Sequence, residues 1–217
     1  MNGLVIFDLD NTVVHSTIDF ASLRRDLIAL WREHNVADQS DAELERLSIG
    51  EIIALGECSA SSLVPEAWRI VLDYERAGMQ NSTIEDDARE ELAALRRQGL
   101  RLAVLTNNAR QATSDALDRF DLKAMFDLVL TRDDVAMKPD PAGVRHALAH
   151  FGDAALRAVV VGDSWMDGTA AQRADVPFIA FRPKAGRMEA RGIPVWAVVE
   201  RLSEISVVLA GAWPQSD

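Results

Sequence analysis

Of the chain's 217 residues only one is a cysteine, Cys58, so no intramolecular disulfide can form and a reducing compartment is expected. No apolar run approaches the roughly 20 residues that a membrane-spanning helix needs. The N-terminal apolar run is short, meets Asp8 at once, and lacks the charged flank and cleavage site of a secretory leader. Basic residues are too few to balance the acidic ones: 23 against 34 leaves a net charge of -11. That balance argues against a general binder of nucleic acid or of anionic membrane. The expectation is a soluble, cytoplasmic protein. What remains is ordinary for a globular chain, with 48% hydrophobic and 26% charged residues and neither repeats nor low-complexity tracts. Its length suits one large domain, or a core carrying a small insert.

The chain is organised around its first apolar stretch, Leu4-Val5-Ile6-Phe7, which runs into Asp8-Leu9-Asp10-Asn11-Thr12. Four apolar residues without alternation read as a strand buried on both faces, as at the centre of a parallel sheet. Side chains alternate along an extended backbone, so Asp8 and Asp10 point the same way. Two neighbouring carboxylates repel, and an uncompensated charge in a low-dielectric setting costs several kcal/mol. A hard divalent cation such as Mg2+, which takes oxygen ligands and substrate phosphate, resolves the conflict. Two solvated turn aspartates are the plain alternative.

The next stretch is helical. Ile18, Phe20, Leu23, Leu27, Leu30 and Trp31 form one apolar stripe between Ser16 and His34. Ser40 with Glu43 matches a capping box opening a helix that carries Leu44, Leu47, Ile52 and Ile53. Pro65 starts a third helix, with Gly78 as its stop. This block reads as an inserted helical cap domain over residues 15–81, the core being residues 1–14 and 82–217. From Ser82 onward helices and strands alternate: helix Ile84 to Gln98, strand Leu100 to Leu105, a helix through Leu117, strand Leu128 to Leu130 and helix Val144 to Phe151 follow in order. Strand Ala158 to Gly162, strand Pro177 to Phe181 and a last helix in the tail complete the chain. Such alternation gives an α/β fold, a doubly wound parallel (Rossmann-like) sheet, whose ligands bind outside the carboxyl ends of its strands.

Four polar clusters fall at or just after those strand ends: Asp8/Asp10, Thr106-Asn107-Asn108, Lys138, and Asp163 with Asp167. Each alone has a dull reading, Thr106 and Asp163 as helix caps and Lys138 as a loop cation. Together they hold a nucleophile, an acid/base, a hydroxyl, a cation and metal-binding carboxylates, the inventory for phosphoryl transfer through an aspartyl-phosphate.

With these motifs in hand, Asp8-Leu9-Asp10-Asn11-Thr12, Thr106, Lys138-Pro139 and Gly162-Asp163-Ser164-Trp165-Met166-Asp167, the chain resembles the haloacid dehalogenase superfamily, in its phosphoglycolate phosphatase-like branch. The resemblance implies Asp8 as nucleophile and Asp10 as general acid, then base. It implies Mg2+ held by Asp8, the Asp10 main-chain carbonyl and Asp163, with Asp167 supporting the metal's waters or Lys138. Thr106, the Asn107 N–H and Lys138 would hold the phosphoryl oxygens, with Asn108 toward substrate. The implied activity is hydrolysis of a small phosphomonoester, phosphoglycolate-like or a sugar phosphate, by a monomer or homodimer. A phosphosugar mutase and a non-catalytic binding protein are the alternatives. Asp10 argues against carbon–halogen cleavage, where no alkoxide needs a proton, and the lack of any lysine before Lys123 argues against the cap-lysine phosphonate chemistry. Asn11 stands where the family often has glycine, and Asn tolerates a left-handed backbone. His15 stands where an acid is common. Arg24, Arg25 and Arg32 in the insert, and the basic loop Arg182, Lys184, Arg187 and Arg191, face either solvent or an anionic substrate.

Overall fold

A computed structural model describes residues 3–152 and 157–211, and divides the chain into two compact units. One comprises Met1–Ser16 and Ser82–Asp217, the other Thr17–Asn81. Strand β1 (Gly3–Phe7) is buried throughout, as its unalternated apolar run requires. Beyond it the chain doubles back: the Asn11 N–H donates to the Val14 carbonyl at 2.7 Å, and those of Val13 and Val14 donate to that of Leu9. Asn11 takes φ 61° in that turn, the left-handed conformation its short polar side chain permits. A two-residue strand, β2 (Val14–His15), follows.

The second unit is helical. Helix α1 (Phe20–Glu33) is capped by Asp19, which accepts from the Ser22 N–H, and buries Leu23, Leu27, Leu30 and Trp31. The single helix expected from Ser40 is two: α2 (Asp41–Leu44) ends within a turn, and a second capping box, Ser48 with Glu51, opens α3 (Ile49–Ser59). Helix α4 (Val64–Gln80) starts on Pro65 as expected but does not stop at Gly78. That glycine lies inside the helix because a Cβ there would come within 2.4 Å of the Ile18 side chain. The Trp31 indole seals the cluster, donating to the Ile52 carbonyl at 2.7 Å.

Back in the first unit, β3 (Thr83–Ile84) pairs antiparallel with β2, so the helix expected from Ile84 begins later, as α5 (Ala88–Arg97). Then come β4 (Arg101–Leu105), α6 (Arg110–Arg119), β5 (Leu128–Leu130), α7 (Ala142–Phe151), β6 (Arg157–Gly162), α8 (Trp165–Arg173), β7 (Phe178–Phe181), β8 (Ala197–Val199) and α9 (Glu204–Gly211). The six-stranded sheet runs β5-β4-β1-β6-β7-β8, every pairing parallel, with helices on both sides. On one face Leu4 and Ile6 pack with Val144 and Ala147 of α7 and Ala170 and Ala171 of α8. The order reverses at β1, whose neighbours β4 and β6 lead the chain off in opposite directions. The carboxyl end of β1 is therefore the switch point, where a parallel sheet opens a crevice for ligand.

Candidate active site

Asp8 is the first residue past β1, and its N–H still follows the sheet, donating to the Val161 carbonyl at 2.8 Å. Thr106 does the same past β4, donating to Leu130 at 3.0 Å. Sheet registry thus fixes both side chains. Lys138 arrives from the loop before α7, and its buried ammonium makes three bonds: to Asp8 Oδ1 at 2.6 Å, Asp167 Oδ1 at 2.6 Å and the Leu105 carbonyl at 2.8 Å. Three acceptors match the three protons an ammonium carries. Burial works against the charged form of Lys138, but Asp167 and Asp8 outweigh it and hold its pKa above the usual lysine range.

Asp167 is itself fully engaged. Its Oδ2 accepts from the Ser164 N–H at 3.0 Å and the Ser164 hydroxyl at 2.5 Å, a capping box at the start of α8, while Oδ1 holds Lys138. It therefore orients the lysine. The cap of α8 is Ser164, which leaves Asp163 for other work. Gly162 makes room for this arrangement, since a Cβ there would lie 2.5 Å from Asp167 Cγ. A Gly162→Ala variant should keep its sheet, displace Asp167 from Lys138 and lose at least about ten-fold in turnover. Steady-state kinetics beside a thermal melt would check this; unchanged turnover would mean the Asp167 contact is dispensable.

Asn107 clamps the lysine from the main-chain side. Its Nδ2 donates to the Lys138 carbonyl at 2.9 Å and its Oδ1 accepts from the Lys138 N–H at 2.8 Å. The Thr106 hydroxyl oxygen accepts from the Asn108 N–H at 3.2 Å, so it keeps its own proton to donate, and it does not cap α6, which starts at Arg110. Asn108 is buried, and its Nδ2 has no hydrogen-bond partner.

Asp8, Asp163 and Asp167 bring carboxylate oxygens within 4.8 Å of one another. Burial, then Asp167 and Asp163, push the Asp8 carboxyl well above the usual range despite Lys138. Burial and Asp167 push Asp163 up to about 7. One ammonium does not neutralise three carboxylates. Asp10 lies beside them with Oδ1 buried and unpartnered, its carboxyl raised by burial and partly restrained by the N–H and hydroxyl of Ser16. Excess acid charge and an orphaned carboxylate oxygen are what a hard cation with oxygen ligands satisfies. The residues present therefore fit a divalent ion.

A family model described as haloacid dehalogenase-like hydrolase matches residues 5–181, from β1 to the end of β7. The chain belongs to that family. The hydrolase is 30% identical over 184 residues to a phosphoglycolate phosphatase of Colwellia psychrerythraea, covering 80% of this chain and 81% of the relative. It is 28% identical over 218 residues to that of Nitrosococcus oceani, covering 96% and 97%. Among solved structures it is similar to a subfamily IA hydrolase of the haloacid dehalogenase superfamily from Geobacter sulfurreducens, with 26% identity, TM-score 0.63, and 95% and 96% of the two chains covered.

Five of the arginines named above have partners within the protein. Arg24 donates to the carbonyls of Leu44 and Leu47, Arg32 to those of Ala37 and Gln39, and Arg25 to the Ser22 hydroxyl. In the basic loop, Arg191 lies over the Trp165 ring at 4.6 Å and Arg182 turns to Glu85, which also meets His15. Sequence reasoning gave no role to Ser164, although its spacing from Asp167 marks a capping box. It also overlooked the buried Thr12, whose hydroxyl donates to Asp8 Oδ2 at 3.4 Å, and Glu85, for which the sequence carries no local signal.

Proposed function

We propose that this hydrolase releases inorganic phosphate from a small phosphomonoester, phosphoglycolate-like or a sugar phosphate, through an aspartyl-phosphate on Asp8 with Mg2+ as cofactor. The hydrolase is a phosphoric monoester hydrolase. The observation that carries the mechanism is the Lys138 ammonium set between Asp8 and Asp167 at the switch point of the sheet. The Asp8 carboxylate attacks phosphorus as the ester P–O bond breaks, and Asp10, kept protonated more readily by burial, gives its proton to the departing oxygen. Asp10 then takes a proton from the water that attacks the aspartyl-phosphate, which frees phosphate and restores Asp8. Lys138, the Thr106 hydroxyl and the Asn107 N–H hold the phosphoryl oxygens as charge spreads over them. Asp8, the Asp10 carbonyl and Asp163 would hold the Mg2+, which when bound supplies positive charge to the phosphoryl group and the crowded carboxylates. The helical unit is the element we assign to substrate selection.

Hydrolysis of p-nitrophenyl phosphate with Mg2+ and with EDTA tests this reading. Turnover that EDTA removes supports it, while equal rates in both would sink the metal requirement. Absence of both turnover and Mg2+ binding would favour a binding protein that keeps the fold. Because burial and Asp167 push the Asp163 carboxyl up to about 7, protons compete with the ion below that pH. Calorimetric Mg2+ titrations should show affinity several-fold weaker at pH 6 than at pH 8, the weakening approaching about ten-fold per unit for each proton displaced. An affinity independent of pH would remove Asp163 from the ligand set.

A further inference from the structure

Glu85 is a buried acid that the reaction does not use. It follows β3 directly, and its N–H donates to the Val13 carbonyl at 3.0 Å. Its carboxylate accepts both ends of the Arg182 guanidinium, Nη1 at 2.9 Å and Nη2 at 2.6 Å, and also meets the His15 ring. Bidentate pairing of this kind fixes direction as well as distance. Arg182 is held in turn: its N–H donates to the Val199 carbonyl at 3.0 Å, its Nε to the Glu200 carbonyl at 2.7 Å, and its guanidinium lies over the Phe181 ring at 4.7 Å. It takes φ 40°, an uncommon backbone for a residue other than glycine, to reach Glu85.

The clamp therefore fastens the β2–β3 ribbon to the ends of β7 and β8. The residue after β2 is Ser16, whose N–H and hydroxyl hold the Asp10 carboxylate, and the main chain of Asp10 bridges to Val14 of the same strand. We propose that Glu85, with His15 and Arg182, is a positioning element for Asp10, setting through β2 and Ser16 the direction in which the acid presents its proton. Glu85 is buried and Arg182 partly exposed, and their bidentate contact fixes direction more than it adds stability. The proposal rests on the reading of Asp10 as acid/base.

The test uses leaving groups of different need. A p-nitrophenolate departs without a proton, whereas a simple alkyl phosphate must be protonated as it breaks. Glu85→Ala and His15→Ala are expected to lower kcat/KM on the alkyl ester about ten-fold or more, while kcat/KM on p-nitrophenyl phosphate, which reports steps up to departure of the phenolate and not the later attack of water, stays within about two-fold. His15→Gln, which can still donate to Glu85, should restore most of the alkyl activity. His15 is partly exposed, so its substitution leaves a folded protein even where that of Glu85 does not. Equal losses of kcat/KM on both esters, or none, would overturn the proposal. Asp10→Asn run alongside separates the two levels: if its kcat/KM does not itself discriminate between the esters, the reading of Asp10 as acid falls. If it does discriminate and the clamp variants do not, the clamp alone falls. A crystal structure of His15→Ala gives a readout independent of turnover, and Ser16 still seated on Asp10 there would also overturn the proposal.

Discussion

Asp8→Asn is expected to fold as the parent does and to lose phosphatase turnover by a factor on the order of 10³ or more, the size of loss that follows removal of a nucleophile. The amide matches the carboxylate in shape, keeps an acceptor for the Lys138 ammonium now 2.6 Å from Asp8 Oδ1, and cannot form the acyl-phosphate. Its effect on stability has a definite sign. Burial has already raised the Asp8 carboxyl well above the usual range, so at neutral pH the folded state strains to hold a charge that the unfolded chain carries without cost. The asparagine removes that charge, and Lys138 keeps Asp167 as its counter-ion. The melting temperature should therefore equal or exceed that of the parent at pH 7. The difference should shrink as pH falls toward the range where the parent's Asp8 takes up its proton. Turnover retained within ten-fold would refute Asp8 as nucleophile. Turnover lost together with the fold would leave it a structural residue, and circular dichroism on the same sample tells the two apart.

The contrast in what could be read beforehand follows from range. Unalternated apolar runs such as Leu4–Phe7 and Ala158–Gly162 carry their own evidence, because only a strand covered on both faces uses them, and alternation with helices then dictates parallel pairing. Once the strands are parallel, Asp8, Thr106 and Asp163 must meet at one edge, so most of the candidate site was legible from chain order alone. Element ends were less so. Gly78 reads as a helix stop by its type, yet it is a packing residue against Ile18, 60 positions earlier, and no local pattern reports that contact. Ile84 fits a helical stripe, but pairing with Val14 draws it into β3. The Glu85 clamp joins residues 15, 85 and 182, three separations that no periodicity connects. The pairing of Arg182 with Glu85 in the basic loop was hidden for the same reason, since charge density in sequence says nothing of which guanidinium has a private partner.

Lys138→Met isolates what the central cation does. Methionine keeps most of the volume but leaves Asp8 and Asp167 facing each other with no ammonium between them, and removing one member of a buried ion pair costs about 3–5 kcal/mol. Loss of stability of that order is expected at pH 7, together with a fall in turnover of about 10²–10³-fold from the missing charge on the phosphoryl oxygens. Acid should repair the stability but not the turnover. Without the lysine, burial and the neighbouring Asp167 charge raise the Asp8 carboxyl still further above its value in the unfolded chain. The folded state then binds more protons, and stability rises as pH falls from neutral toward the ordinary carboxylate range. A deficit that stays constant from pH 7 to pH 5 would show that lost packing, rather than unpaired charge, is the cause. The double variant with Asp8→Asn sharpens the point. If Lys138 serves chiefly to offset Asp8, the second substitution removes the charge left unpaired, and the pair should be less destabilised than the sum of the two single effects. If its main partner is Asp167, the two changes should simply add. The equal 2.6 Å contacts to both acids predict the intermediate result, a partial recovery of stability with turnover still absent.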